Sequence, residues 1–540
     1  MKRKTLIILL ILTSIVTPAV VLVIISSGFQ PPKTGYVVHF DFISDEKEAR
    51  DLVRIAHEAG ADVINVVPPA HVWENRRALV MLDAILEELT KRGMSFVFAR
   101  IDASYPPDGR GERVNYLYDR ILTEPGRLPD GTATTGYYLS MVGLEKYDRW
   151  MEDELRYYAG RYGRLPNLLG ITIGPFCEPF STERGNYLEY MRSTKRYEIT
   201  QYTPLTLQQW HKWLVKNIGD ISSVNREYGV HFVSMDQVPM PRNESDTRFG
   251  RPELAFFDFV RVFNDWFIDR YERCRRIWHE SSGRDDVPLI LQMNGAELEK
   301  IVRGRPSYMA FDIPGWIARA DAVGLSIYTS SGFPDFAHAP IKSMVNMLAL
   351  AADLDKDFFI MESGCEAPNI VLDPGELEFI GTVALSLRPR IFIYEFLKDK
   401  FNETYPSNPG KLVDAGGNIR EPAFKALSAL FSRIKSSRAD PVPPALYVLF
   451  DPLAARGNMR LGEINAALYE ISSSLPIRWV PKGSGVSMTP GVPVMHTDGS
   501  ITPPNRTLSR LFQSVPPVDS ERRGLWRMEL IGALHSAFKR

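Results

Sequence analysis

Two glutamates close short apolar runs. Leu168-Leu-Gly-Ile-Thr-Ile-Gly-Pro-Phe-Cys-Glu-Pro-Phe180 ends by presenting Glu178 beside Cys177, and Phe358-Phe-Ile-Met361 leads directly into Glu362. Each run is too short for a helix and reads as a buried strand, the first bounded by Gly174 and Pro175. Taken alone, either is an ordinary strand with a solvated acid at its end. Two such acids at one mouth are what glycoside cleavage needs. One protonates the leaving oxygen, and the other attacks the anomeric carbon or activates water. The retaining mechanism sets them ~5 Å apart and the inverting one wider, a gap that sequence does not measure.

The rest of the chain supplies elements that bring strand ends together. From Gly35, brief β-rich runs alternate with longer amphipathic ones. Strands are expected over 36–42, 61–67, 94–102, 168–173, 288–293, 321–328, 358–361 and 390–396, and helices over 45–59, 76–91, 145–162, 338–354, 374–387 and 421–435. An insertion after Glu178 carries helices over 205–217, 221–228 and 253–280. This rhythm predicts a parallel sheet closed as a (β/α)8 TIM barrel over 35–435. A doubly wound open sheet is the competitor, but no Gly-x-Gly-x-x-Gly follows the first strand, so no dinucleotide site is expected.

In such a barrel the chemistry gathers at the carboxyl ends of the strands. The residues there are Arg100 after the third, Glu178 after the fourth, Asn294 after the fifth, Tyr328 after the sixth and Glu362 after the seventh. Residues 436–443 read as a linker, and 445–540 as a small α/β domain with strands over 445–450, 477–480 and 494–496 and helices over 461–472 and 522–539.

Composition narrows the partners. The chain has 540 residues, and 64 Lys+Arg against 65 Asp+Glu leave no field to draw nucleic acid. With 3 cysteines and no paired Cys or His spacing, neither a disulfide framework nor a metal or other cofactor is expected. The N-terminus stands apart. After Lys2, Arg3 and Lys4 no charge appears until Lys33, and residues 5–27 are almost continuously apolar. That length suits an uncleaved transmembrane anchor with its basic tip in the cytoplasm and everything beyond residue 30 outside, followed by a linker through Thr34. A cleaved signal and a secreted chain are the alternative. The sequons at Asn243, Asn402 and Asn505 are compatible with export.

Several stretches together resemble the clan A glycoside hydrolases, and most of all the microbial β-galactosidases of family 42. Residues 48–65 followed by Val72-Trp-Glu74 are similar to that family's first helix and second strand. Cys177-Glu178-Pro179 occupies the place of its acid/base motif, and 213–232 is similar to a helical insertion typical of it. Phe358-Phe-Ile-Met-Glu362 resembles the nucleophile strand, and 410–427 resembles the segment leading into the last barrel helix. The resemblance covers roughly 36–435 and implies a retaining double displacement with Glu178 as acid/base and Glu362 as nucleophile. It also implies a sugar pocket lined by Cys177, Asn294 and Tyr328, with Arg100 orienting a carboxylate, a carbohydrate substrate, and a homo-oligomer. Asn294 and Tyr328 can equally be strand-end residues that cap or pack, and Arg100 can pair with Asp102. The chain departs from the pattern where Cys177 replaces the asparagine before the acid/base, where Asn65-Val-Val-Pro-Pro69 lacks an expected arginine, and where Tyr394-Glu-Phe396 lacks a tryptophan. Together these departures weaken galactose specificity, and the Cys177 replacement motivates a second function, a barrel without turnover that binds glycan or scaffolds an envelope complex.

Overall fold

The computed structural model describes residues 31–39, 43–68, 72–98, 126–133, 142–173, 199, 201–294, 306–328, 338–364, 374–398, 411–437, 442–516 and 521–538. Its strands are β1 (Lys33–His39), β2 (Val63–Val67), β3 (Ser95–Phe98), β4 (Leu168–Ile173), β5 (Leu289–Asn294), β6 (Ala322–Tyr328), β7 (Asp357–Gly364) and β8 (Ile391–Phe396). They pair in parallel in that order and close into a barrel, with helices between them. This is the (β/α)8 architecture that the sequence rhythm predicts.

Closure corrects one boundary. β1 starts at Lys33 and not at Tyr36, so Lys33 and Thr34 belong to the barrel and not to a linker. Lys33 lies opposite Ile391 of β8, and its amide donates to the Arg390 carbonyl at 3.0 Å. The polar side chains that disguise this strand start find local partners. The Thr34 hydroxyl donates to the Gly60 carbonyl at 3.2 Å, and Lys33 Nζ donates to Ser95 Oγ at 3.0 Å.

One face of the strands points into the barrel, where Val37, Val63, Val67, Val97, Ile290, Ala322, Phe359, Met361, Ile391 and Ile393 form an inner core. The opposite face packs on the helices in a larger core. Full burial of each aliphatic side chain contributes about 1.5–3 kcal/mol, so the inner layer holds the barrel shut and gives the strand ends a rigid base.

The insertion after β4 contains helices Pro204–Asn217, Ile221–Tyr228 and Pro252–Ser282. The last ties the insertion to the barrel. Its Tyr271 hydroxyl donates to the Leu289 carbonyl at 2.7 Å and accepts from the Asp321 amide at 2.9 Å, and Trp278 Nε1 donates to the Val287 carbonyl at 2.8 Å. Trp278 is fully buried. Trp278→Phe removes the pyrrole ring with its N–H, leaving a small void and the Val287 carbonyl without its donor. The expected result in chemical unfolding is a loss of ~1–3 kcal/mol, and an unchanged midpoint would show that the bond is dispensable.

Within the barrel, two helices differ from expectation, and beyond it the helices Pro452–Gly457 and Arg506–Gln513 are added to those expected. The helix expected over 338–354 is two, His338–Leu348 and Leu350–Asp353, parted at Ala349. The helix Ile313–Arg319 was not foreseen, because Pro314-Gly315 reads as a breaker. Proline is tolerated in a first turn, and Asp312 caps it by accepting from the Gly315 amide at 3.0 Å.

Beyond the barrel, β9 (Leu446–Phe450), β10 (Ile477–Pro481), β11 (Val494–Met495) and β12 (Ile501–Thr502) form a sheet in the order β10-β9-β11-β12, with β12 antiparallel. A half-buried ion pair joins this sheet's first helix, Pro452–Gly457, to the barrel insertion. Arg456 Nε and Nη2 donate to the two carboxylate oxygens of Asp258 at 2.7 and 2.9 Å, and the Tyr228 hydroxyl donates to Asp258 at 2.9 Å. Glu227 flanks Arg456 at 2.8 Å.

The expected membrane anchor falls in residues 1–30, outside the described residues. Among the described residues, no helix is long and apolar enough to cross a membrane.

Candidate active site

Toward the carboxyl ends of the strands, the barrel interior changes from apolar to polar. On β5 the inward position after Ile290 is Gln292, and on β6 the inward positions run Ala322, Gly324, Ser326. Gln292 Nε2 donates to Ser326 Oγ at 2.9 Å, with both side chains buried.

β7 brings Glu362 to this layer by an irregularity. Phe359 and Met361 both belong to the inner core, so strict alternation would send Glu362 outward to the helices. The pairing with β6 runs Gly324↔Phe359 and Leu325↔Ile360, then Ser326↔Glu362, skipping Met361. Two successive residues of β7 thus oppose one of β6, the arrangement of a β-bulge, which re-aims the side chain that follows. Glu362 shares the face of Ser326 and is only 3% exposed. The absence of a side chain at residue 324 permits the bulge, since a Cβ on Gly324 would lie 2.9 Å from Met361 Cγ.

Two neighbours fix the bulge on either side of the acid. Asn65 of β2 donates through Nδ2 to the Met361 carbonyl at 2.9 Å, and Ser363 Oγ donates to the Ile393 carbonyl of β8 at 2.9 Å. A similar skip occurs where β8 meets β1. Tyr36 pairs with Tyr394 and Val37 with Phe396, passing over Glu395. Asn65 Oδ1 and Gln292 Oε1 are buried without a hydrogen-bond partner among the described residues.

Of the residues singled out from sequence, Glu362 stands on the inner face of the seventh strand. Asn294 and Tyr328 are the last residues of β5 and β6, with backbones opposite Ser326 and Gly364 respectively. Their side chains, together with Arg100, Cys177 and Glu178, lie outside the described residues. The structure adds Asn65, Gln292 and Ser326 to the polar layer. Their signal in the sequence is a polar residue at an inward position within an otherwise apolar run.

Architecture and buried acid together define a class, the closed (β/α)8 barrel with a glutamate aimed into its mouth from the seventh strand. No family model matches the chain, and no curated protein does. Solved structures of β-galactosidases do match. That from Marinomonas ef1 has a TM-score of 0.59 at 14% identity, covering 84% of this chain and 71% of its own. A catalytic mutant of a family 42 β-galactosidase from G. stearothermophilus has a TM-score of 0.59 at 12% identity, covering 84% of this chain and 66% of its own. The catalytic domain of a Paenibacillus polymyxa β-amylase follows with a TM-score of 0.52 at 11% identity, covering 75% of this chain and all of its own. The resemblance drawn from short motifs therefore holds across the fold.

Proposed function

We propose that this chain is a retaining glycoside hydrolase acting on β-linked sugars, with β-galactosides as the first substrate to test. The observation that carries the reading is the bulge in β7, which turns Glu362 into the barrel mouth where regular alternation would not. The glycosidase fold of its structural neighbours supports it.

In this reading Glu178 protonates the glycosidic oxygen as Glu362 attacks the anomeric carbon. The leaving alcohol departs and a glycosyl ester forms on Glu362. Water, deprotonated by Glu178, then cleaves the ester and restores both carboxyl groups. Arg100, Cys177, Asn294 and Tyr328 line the sugar site. The apolar segment over residues 5–27 holds the barrel outside the cell.

The test is a panel of aryl β-glycosides followed by proton NMR of the released sugar. The β-anomer appearing first is the expected result, and the α-anomer first would overturn retention. Cys177 in place of an asparagine motivates the second reading, a glycan-binding barrel without turnover. Sugar binding by calorimetry with no hydrolysis at high enzyme concentration would establish that one instead.

A further inference from the structure

We infer that Asn65 is a positioning residue for Glu362, acting through the bulge of β7 and not through substrate; the inference rests on Glu362 being the nucleophile. The Met361 carbonyl belongs to the peptide unit that carries the nitrogen of Glu362. Fixing the direction of that carbonyl fixes the plane from which the Glu362 side chain departs. In a regular parallel ladder such a carbonyl is taken by the adjacent strand. Here it accepts from Asn65 Nδ2 at 2.9 Å in a fully buried bond. Around the barrel wall β8 and β1 separate β7 from β2, so this bond crosses the interior.

The state of the Asn65 amide supports the assignment. A carbonyl acceptor requires the nitrogen of the amide, so the orientation is set by chemistry. Its oxygen is then left buried without a partner among the described residues, with Asn65 only 2% exposed. The other inward residues of β2 are Val63 and Val67. A third valine would fill the position without an unsatisfied oxygen, and packing alone would favour it. An orphaned buried polar atom beside a bulge is the pattern of a site where stability yields to geometry.

The experiment compares Asn65→Val with the parent enzyme in two backgrounds. With Glu362 present, kcat on an aryl β-glycoside is expected to fall on the order of 10²-fold, as for a small misplacement of a reacting group, with a much smaller change in KM. In Glu362→Ala supplied with azide, the nucleophile is no longer held by the protein, and Asn65→Val is expected to change the rate by less than about 2-fold. Equal losses in both backgrounds, or a kcat within about 2-fold of the parent, would overturn the inference. A crystal structure of Asn65→Val separates this outcome from failure of the functional reading. The expected result is a bulge retained but with the Met361–Glu362 peptide turned from its present plane and the Glu362 carboxyl displaced, and an unmoved peptide would refute the role of Asn65 even in a protein that hydrolyses nothing.

Discussion

Glu362→Gln is expected to lower kcat/KM on aryl β-glycosides by about 10³-fold or more, while the melting temperature stays level. The two readouts move apart for one physical reason. Glu362 is 3% exposed and packs inside the barrel. The isosteric amide keeps the volume and shape of that packing, so folding does not suffer. The amide is also no nucleophile, so the glycosyl ester does not form. Turnover within 10-fold of the parent would remove Glu362 from the mechanism. A sharp fall in melting temperature would mean that the acid holds the barrel and does not serve chemistry.

The second large effect concerns the joint between the barrel insertion and the C-terminal sheet. The Asp258 side chain is completely buried, and Arg456 holds both of its oxygens. Burial pushes the Asp258 carboxyl above its ordinary value, and Arg456 pulls against that. Arg456→Met leaves Asp258 without its counter-charge, a change expected to cost about 3–5 kcal/mol at neutral pH. The sign with pH follows from linkage. Without Arg456 the folded-state pKa of Asp258 rises further above its unfolded value, so the penalty is largest where the unfolded carboxyl is ionised. It shrinks as pH falls from the raised folded-state pKa to the ordinary carboxylate range, below which the proton is held in both states. Melting temperatures of variant and parent should therefore converge in acid. Adding Asp258→Asn to Arg456→Met should restore most of the loss, because asparagine still accepts from Tyr228. A pH-independent difference, or no recovery in the double variant, would place the effect elsewhere.

Much of the architecture was legible because strand and helix periods are strong signals in long amphipathic runs. The helices over Arg76–Lys91 and Glu145–Tyr162 fall where their apolar spacing puts them. The start of β1 was not legible, because Lys33 and Thr34 follow two prolines and look like a tether. Only the partner strand β8 reveals their role. The site was half legible. A glutamate closing an apolar run marked Glu362, but no local pattern announces a skip in register. Alternation from Phe359 and Met361 points Glu362 the wrong way. In the sequence Asn65 stands out only as part of a strand end that lacks an arginine. Its bond to Met361 spans 296 positions of sequence and belongs to the closed barrel alone.

The early start of β1 also orients the molecule. Lys33 opens the strand at the amino-terminal rim, while Glu362 faces the opposite, carboxyl-terminal rim. The chain preceding Lys33 therefore meets the barrel at its floor. Were residues 5–27 to span a bilayer as proposed, the floor would be the side nearer the lipid and the mouth the side toward the medium. Such a protein would draw soluble or wall-borne glycans from outside, and glycolipids of its own membrane would be out of its reach.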